Sequence, residues 1–245
     1  MIVICFLPIR CFNPIPPFVL SKIGLLLNSK FIKRKHRKLL VNTKEPAAIF
    51  QQIFARMNEQ YEFIKSIYNI NEDDYRLFTK DFKTIQFKKG EHITVPGQTA
   101  KKIFLVRNGV QMYYFDANGK TNILGFTYAP HFCVIPESFF YQKPAKYYLT
   151  SVVDSELEYL TFENLQNLFD QSQQIERLFR KLLESVAVGL INRQIELRST
   201  SIEERFRGFC QRSPHLLQLV PHKYIASYLA IDPTNFSKLF NTVKI

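Results

Sequence analysis

The sequence predicts an α+β fold: an antiparallel β-roll, then a long helix, then a C-terminal winged-helix/helix-turn-helix domain. Three observations carry this expectation. From Phe82 to Thr161, segments rich in β-branched and aromatic residues are separated by Asn-Gly pairs and isolated glycines, the pattern of closely spaced strands. Residues 174–197 keep apolar side chains on one helical face. The chain from Pro221 onward reads as two short helices around a tight corner, with Asp232 as N-cap and Pro233 at the first helical position of the second.

Ahead of the strands, Tyr61, Phe63, Ile64, Ile67 and Tyr68 fall at helical spacing within residues 57–69. Asn71, followed by Glu72, Asp73 and Asp74, starts a second short helix with its acids where the macrodipole favours them. Asn108-Gly109 and Asn118-Gly119 are both expected to be hairpin turns. Strands are expected at 103–107, 110–115, 121–127, 147–153 and 157–161, closing on themselves so that no long edge is left exposed. In the long helix, Ile175, Leu178, Phe179, Leu182, Val186, Ala187, Leu190 and Ile191 form the stripe. A helix of that length extends for about 36 Å, more than a small roll covers, so the stripe is expected to be the seam of a homodimer. Ser201-Ile-Glu-Glu204 is a capping box opening a further helix through Phe206 to Arg212, which leaves residues 198–200 as a hinge.

In the C-terminal pair, Ile225 and Leu229 form an apolar stripe with the small Ala226 between them, and Phe236, Leu239 and Phe240 are expected to be buried. Thr234, Asn235, Ser237, Lys238 and Asn241 are left facing outward. Amide, hydroxyl and ammonium groups opposite an apolar stripe suit a helix lying in a DNA major groove. The same pattern also fits a helical hairpin that closes a core.

Composition limits the other classes. The chain has 245 residues and a formal net charge of +12. Ten basic residues against Glu45 alone lie in residues 1–56, so global charge says little about the rest. That segment, with its Pro-rich patch and the block Lys33-Arg34-Lys35-His36-Arg37-Lys38, is expected to be an extension, unstructured or arising from a start assigned upstream of Met57. The expected division of the rest is a β-roll at 57–170, a dimerisation helix at 171–200 and a helix-turn-helix domain at 201–245. Cys5, Cys11, Cys133 and Cys210 form no disulfide framework, and no stretch reaches a membrane-spanning length, so a cytoplasmic location with no membrane partner is expected. His131-Phe-Cys133 supplies two metal ligands, too few for a structural site. His36, His92, His131, His215 and His222 make no catalytic constellation. No enzyme, metal or cofactor is expected.

The order of roll, long helix and helix-turn-helix resembles the Crp/Fnr family of bacterial transcription regulators over residues 57–245. Phe87-Lys-Lys-Gly90-Glu91 through Gly97, with Ile103-Phe-Leu-Val-Arg-Asn-Gly109, is similar to the start of the family's cyclic-nucleotide-binding-like roll. His215-Leu-Leu-Gln-Leu-Val-Pro221-His-Lys-Tyr-Ile-Ala-Ser-Tyr-Leu is similar to its first DNA-binding helix and the residues before it. The resemblance implies a homodimer whose paired recognition helices read double-stranded DNA through Thr234, Asn235, Ser237 and Lys238. Asn235 would pair with adenine and Lys238 with guanine, while Ser237 and the helix amides would meet phosphate. It also implies an effector region at Glu137, Ser138 and Lys146. The family's cyclic-nucleotide binders carry Gly-Glu and, about ten residues later, an Arg clamping the phosphate. Here Pro136-Glu137-Ser138 keeps the acid without the Gly, and Gln142-Lys-Pro-Ala-Lys146-Tyr147 has no Arg. The expected function is a dimeric regulator that does not bind cyclic AMP and responds to an unidentified small molecule or to none. The alternative is an effector-binding or protein-interaction module whose C-terminal domain no longer binds DNA.

Overall fold

Alternating side chains in the strand segments point to two faces, and each sheet buries apolar side chains on both. In the computed structural model, which describes residues 59–243, the strands are β1 (Lys83–Phe87), β2 (His92–Thr94), β3 (Lys102–Asn108), β4 (Val110–Ala117), β5 (Lys120–Tyr128), β6 (Phe132–Cys133), β7 (Tyr148–Ser151) and β8 (Ser155–Thr161). One sheet runs β1-β8-β3-β6 and the other β2-β7-β4-β5, with antiparallel pairings throughout. The chain is helical over 59–67 (α1). The helices that follow are α2 (Glu72–Thr79), α3 (Pro136–Tyr141), α4 (Phe162–Gln171), α5 (Gln173–Ser199), α6 (Ile202–Arg212), α7 (Leu216–Leu219), α8 (His222–Leu229) and α9 (Pro233–Thr242). Helices α3, α4 and α7 have no counterpart in the sequence-based expectation. The basic segment 1–56 lies outside the described residues, and no wing strands are among the described residues beyond α9.

The two Asn-Gly pairs behave differently. Asn118 and Gly119 both have positive φ, 54° and 71°, and join β4 to β5 as a two-residue hairpin with Ala117 opposite Lys120. Asn108-Gly109 is a corner and not the expected hairpin, because β3 and β4 belong to different sheets. The reason is a close approach: Gly109 has φ +98°, and a Cβ there would lie 2.1 Å from Ser155 Oγ. The chain therefore crosses against Ser155 where only glycine fits.

Three packed layers result. Phe87, Phe104, Val106, Tyr113, Cys133, Leu149 and Leu157 fill the roll interior. Ile103, Leu105 and Leu160 on the outside of the first sheet pack with Ile64, Phe78, Leu165, Ile175, Leu178 and Phe179 from the helices. Met112, Ile123 and Phe126 of the second sheet are covered by Phe206, Phe209, Ile225, Leu229 and Phe236. Each such buried side chain contributes about 1.5–3 kcal/mol.

The stripe of α5 divides. Ile175, Leu178, Phe179 and Leu182 are buried against the protein's own roll, and Val186 is partly buried. Ala187, Leu190 and Ile191, assigned to the same stripe, are exposed, together with Val188 and Ile195. The roll covers the first half of the helix; in the second half Gly189 and Arg193 are buried, and the side that carries Val188, Ile191 and Ile195 is left in solvent. At Thr200 the helix stops in extended backbone, and Ser201 restarts it with both hydrogen bonds of the capping box present.

Candidate nucleic-acid interface and effector region

Helix α9 begins where Asp232 Oδ1 accepts the Thr234 N–H at 2.8 Å, with Pro233 at the first position. Phe236 is buried, edge-on to Phe206 at 5.4 Å. Thr234, Asn235, Ser237, Lys238 and Asn241 are exposed on the opposite side. Leu239 is half-buried. Phe240 is 39% exposed and rests on the His222 ring at 4.3 Å, so the buried face is narrower than the sequence implies. The Ser237 hydroxyl donates to Pro233 O at 3.0 Å, which leaves lone pairs facing outward. In this rotamer it suits a base amino group better than a phosphate oxygen, which needs a donor.

The preceding helix α8 is held from two sides. On the roll side, Ser227 Oγ accepts the Ile123 N–H at 3.1 Å and donates to Thr121 O at 3.2 Å. Tyr228 stands edge-on to Phe126 of β5 at 5.5 Å. On the other side, Arg193 of α5 donates to Tyr228 O and lies over the Tyr228 ring at 4.2 Å. Arg193 also pairs with Glu196, which receives Arg212 at 2.9 Å. Burial pushes the Glu196 carboxyl up, but hydrogen bonds from Arg193 and Arg212, then their charges, outweigh it and leave the pKa lowered. The corner residue Ala230 is left-handed, φ 52° and ψ 46°, a conformation that costs a side-chain-bearing residue about 1–2 kcal/mol.

In the roll, the three expected effector residues have three different surroundings. Ser138 is fully buried; its Oγ accepts the Ala100 N–H at 2.8 Å and donates to Lys143 O at 2.6 Å. Its hydroxyl is thus spent on tying α3 to two loops. Glu137 accepts the Tyr147 hydroxyl at 3.2 Å. Burial, and then the Glu137 charge, push the Tyr147 phenol well up. Lys146 is exposed. The stretch 142–147 is fastened to the turn before β3 by Gly97 N–H to Ala145 O and Ala145 N–H to Gln98 O, both 2.9 Å. Buried Tyr113 approaches Tyr147 at 6.5 Å inside the roll. Aromatic side chains and a carboxylate face each other there, a poor setting for an added phosphate. Cys133 is a buried free thiol whose pKa burial raises. Among the described residues, no three metal-ligating side chains come together, and no helix is long and apolar enough to cross a membrane.

Residues 84–172 match the cyclic nucleotide-binding domain family. The fold is similar to that of FixK2 from Bradyrhizobium japonicum, with 14% identity, 65% of this chain and 83% of that one covered, and a TM-score of 0.57. A putative transcriptional regulator of the Crp/Fnr family from Eubacterium rectale gives 15% identity, 71% and 83% coverage, and a TM-score of 0.56. A CooA variant from Carboxydothermus hydrogenoformans gives 18% identity, 73% and 82% coverage, and a TM-score of 0.53. The chain has the Crp/Fnr fold. None of the curated proteins compared matches it.

Within this Crp/Fnr fold, the residues that sequence reasoning missed are the arginines behind α8. Arg193 is 4% exposed and continues the buried line Leu178, Leu182, Gly189 at helical spacing. Arg205 is 7% exposed and lies one turn before buried Phe209. A cation in an apolar register was the available signal, since such a group is seldom buried without a dedicated partner.

Proposed function

We propose that this protein is a homodimeric, sequence-specific DNA-binding transcription regulator of the cytoplasm, without enzymatic activity. The observation that carries the proposal is the face of α9: Thr234, Asn235 and Lys238 stand in solvent while Phe236 anchors the helix from behind. Asn235 suits adenine and Lys238 guanine, each worth about 1–3 kcal/mol of discrimination. The projecting half of α5, with Val188, Ile191 and Ile195 exposed on successive turns, is the seam for a second copy. Two copies would present two α9 helices to a near-palindrome about one DNA turn apart.

The roll is not a cyclic AMP receptor in this reading. Ser138 is internally bonded, Glu137 holds Tyr147, and the 142–147 stretch contains no Arg. Glu137 and Lys146 remain the residues through which a different small effector would be read. Selection from a random DNA pool, followed by titration of the enriched site at several salt concentrations, tests the proposal. The expected result is one enriched palindromic motif with affinity falling steeply as salt rises. No enrichment from an intact dimer would favour the protein-interaction module, a reading that draws on the near balance of 23 basic and 20 acidic residues in 57–245.

A further inference from the structure

Arg205 is buried on α6, and among the described residues no carboxylate pairs with it. Its partners are carbonyls from two separate helix ends. Nη1 donates to Thr200 O at 2.6 Å, at the end of α5. Nε donates to Leu229 O at 2.9 Å and Nη2 to Ala230 O at 3.4 Å, at the end of α8. Arg193 takes the adjoining Tyr228 O. Ser227 O and Ala226 O are closed by the backbone N–H groups of Ala230 and Ile231. Every carbonyl in the last turn of α8 therefore has a donor, and those of three successive residues have arginine donors.

A helix C-terminus carries partial negative charge on its unpaired carbonyls, so two such ends facing one guanidinium compensate a buried cation without an acid. The three acceptors diverge. A planar fork of three nitrogens reaches all of them, whereas the single nitrogen of a lysine cannot. We propose that Arg205 is the positioning residue of the reading head: it locks the end of α5 to the α8–α9 corner and so fixes where the exposed face of α9 points. The consequence for DNA rests on the function proposed above; the geometric lock does not.

The test measures both separately. Spin labels at Asn192→Cys on α5 and Asn241→Cys on α9, in full-length protein with Cys5 and Cys11 changed to Ser and diluted with unlabelled chain, report the angle between the helices. Arg205→Lys and Arg205→Ala are compared with the parent, each checked for cooperative unfolding. The expected result is a narrow distance distribution in the parent and a broad or displaced one in both variants. Methylguanidinium is expected to restore Arg205→Ala and methylammonium is not, a distinction that a general packing loss would not produce. On DNA carrying the selected half-sites at varied spacing, Arg205→Lys should bind the best spacing about tenfold more weakly and lose its preference among spacings. An unchanged distance distribution in Arg205→Lys overturns the proposal whatever the DNA shows. A changed distribution in a protein whose parent selects no DNA sequence upholds the lock and removes the DNA-binding reading instead.

Discussion

Glu196 receives Arg193 and Arg212 from different helices and is the acid that balances them at the junction behind α8. Its pKa is lowered in the folded protein, so its contribution is present above the unfolded value, about 4.3, and is lost as pH falls through the folded value. Glu196→Gln should therefore destabilise the protein by about 1.5–3 kcal/mol at neutral pH. The difference should shrink as both proteins are acidified below about pH 4. Urea unfolding at pH 7 and pH 3.5 would check this. A pH-independent difference would mean that packing, and not charge, is what the substitution removes. Residue identity alone did not disclose this pairing. Arg193 and Glu196 are one turn apart and legible as a pair, but Arg212 arrives through the α5–α6 break.

At the scale of elements, helices and strands are legible in the sequence where a local rule governs them. The Ser201–Glu204 box, the Asp232-Pro233 start and the Asn118-Gly119 hairpin are all closed by contacts within a few residues. Asn108-Gly109 carries the same dipeptide and makes a corner instead, because Ser155, distant in sequence, decides what the chain does there. Gly109→Ala should cost about 2–4 kcal/mol, from left-handed strain and the clash together. Gly119→Ala, with open space around it, should cost about 1–2 kcal/mol from strain alone. Thermal melts of the two variants side by side would separate the effects. For α5, periodicity located the apolar residues but could not say what each one touches. Ile191→Asp places a charge on the projecting half, far from the roll contacts of Leu178 and Leu182. It is expected to leave a folded monomer by sedimentation, since a charge in the proposed apolar seam is left without a partner.

On the scale of the whole molecule, the second sheet has two uses. Its inner face completes the roll, and its outer face seats the helix-turn-helix through Met112, Ile123 and Phe126. The edge strand β5 would otherwise show unpaired backbone groups, and Ser227 occupies one N–H and one C=O of them. Roll and helix-turn-helix thus meet directly, besides their connection along α5. Ser227→Ala should cost about 0.5–1.5 kcal/mol and speed hydrogen exchange at the Ile123 amide. Unchanged exchange there would show that the apolar contacts alone hold the helix-turn-helix in place.

By itself the sequence determined the order of roll, long helix and helix-turn-helix, the caps at Asn71, Ser201 and Asp232, and which side chains of α9 face away from Phe236. Each of these depends on neighbours three or four positions away, or on a backbone conformation that few residues tolerate. Tertiary structure decided the corner at Gly109, the division of α5 between roll and solvent, the consumption of the Ser138 hydroxyl, and the meeting of Arg193 and Arg205 at the end of α8. In every one of those cases the deciding partner lies on another element, and spacing along the chain contains no record of it.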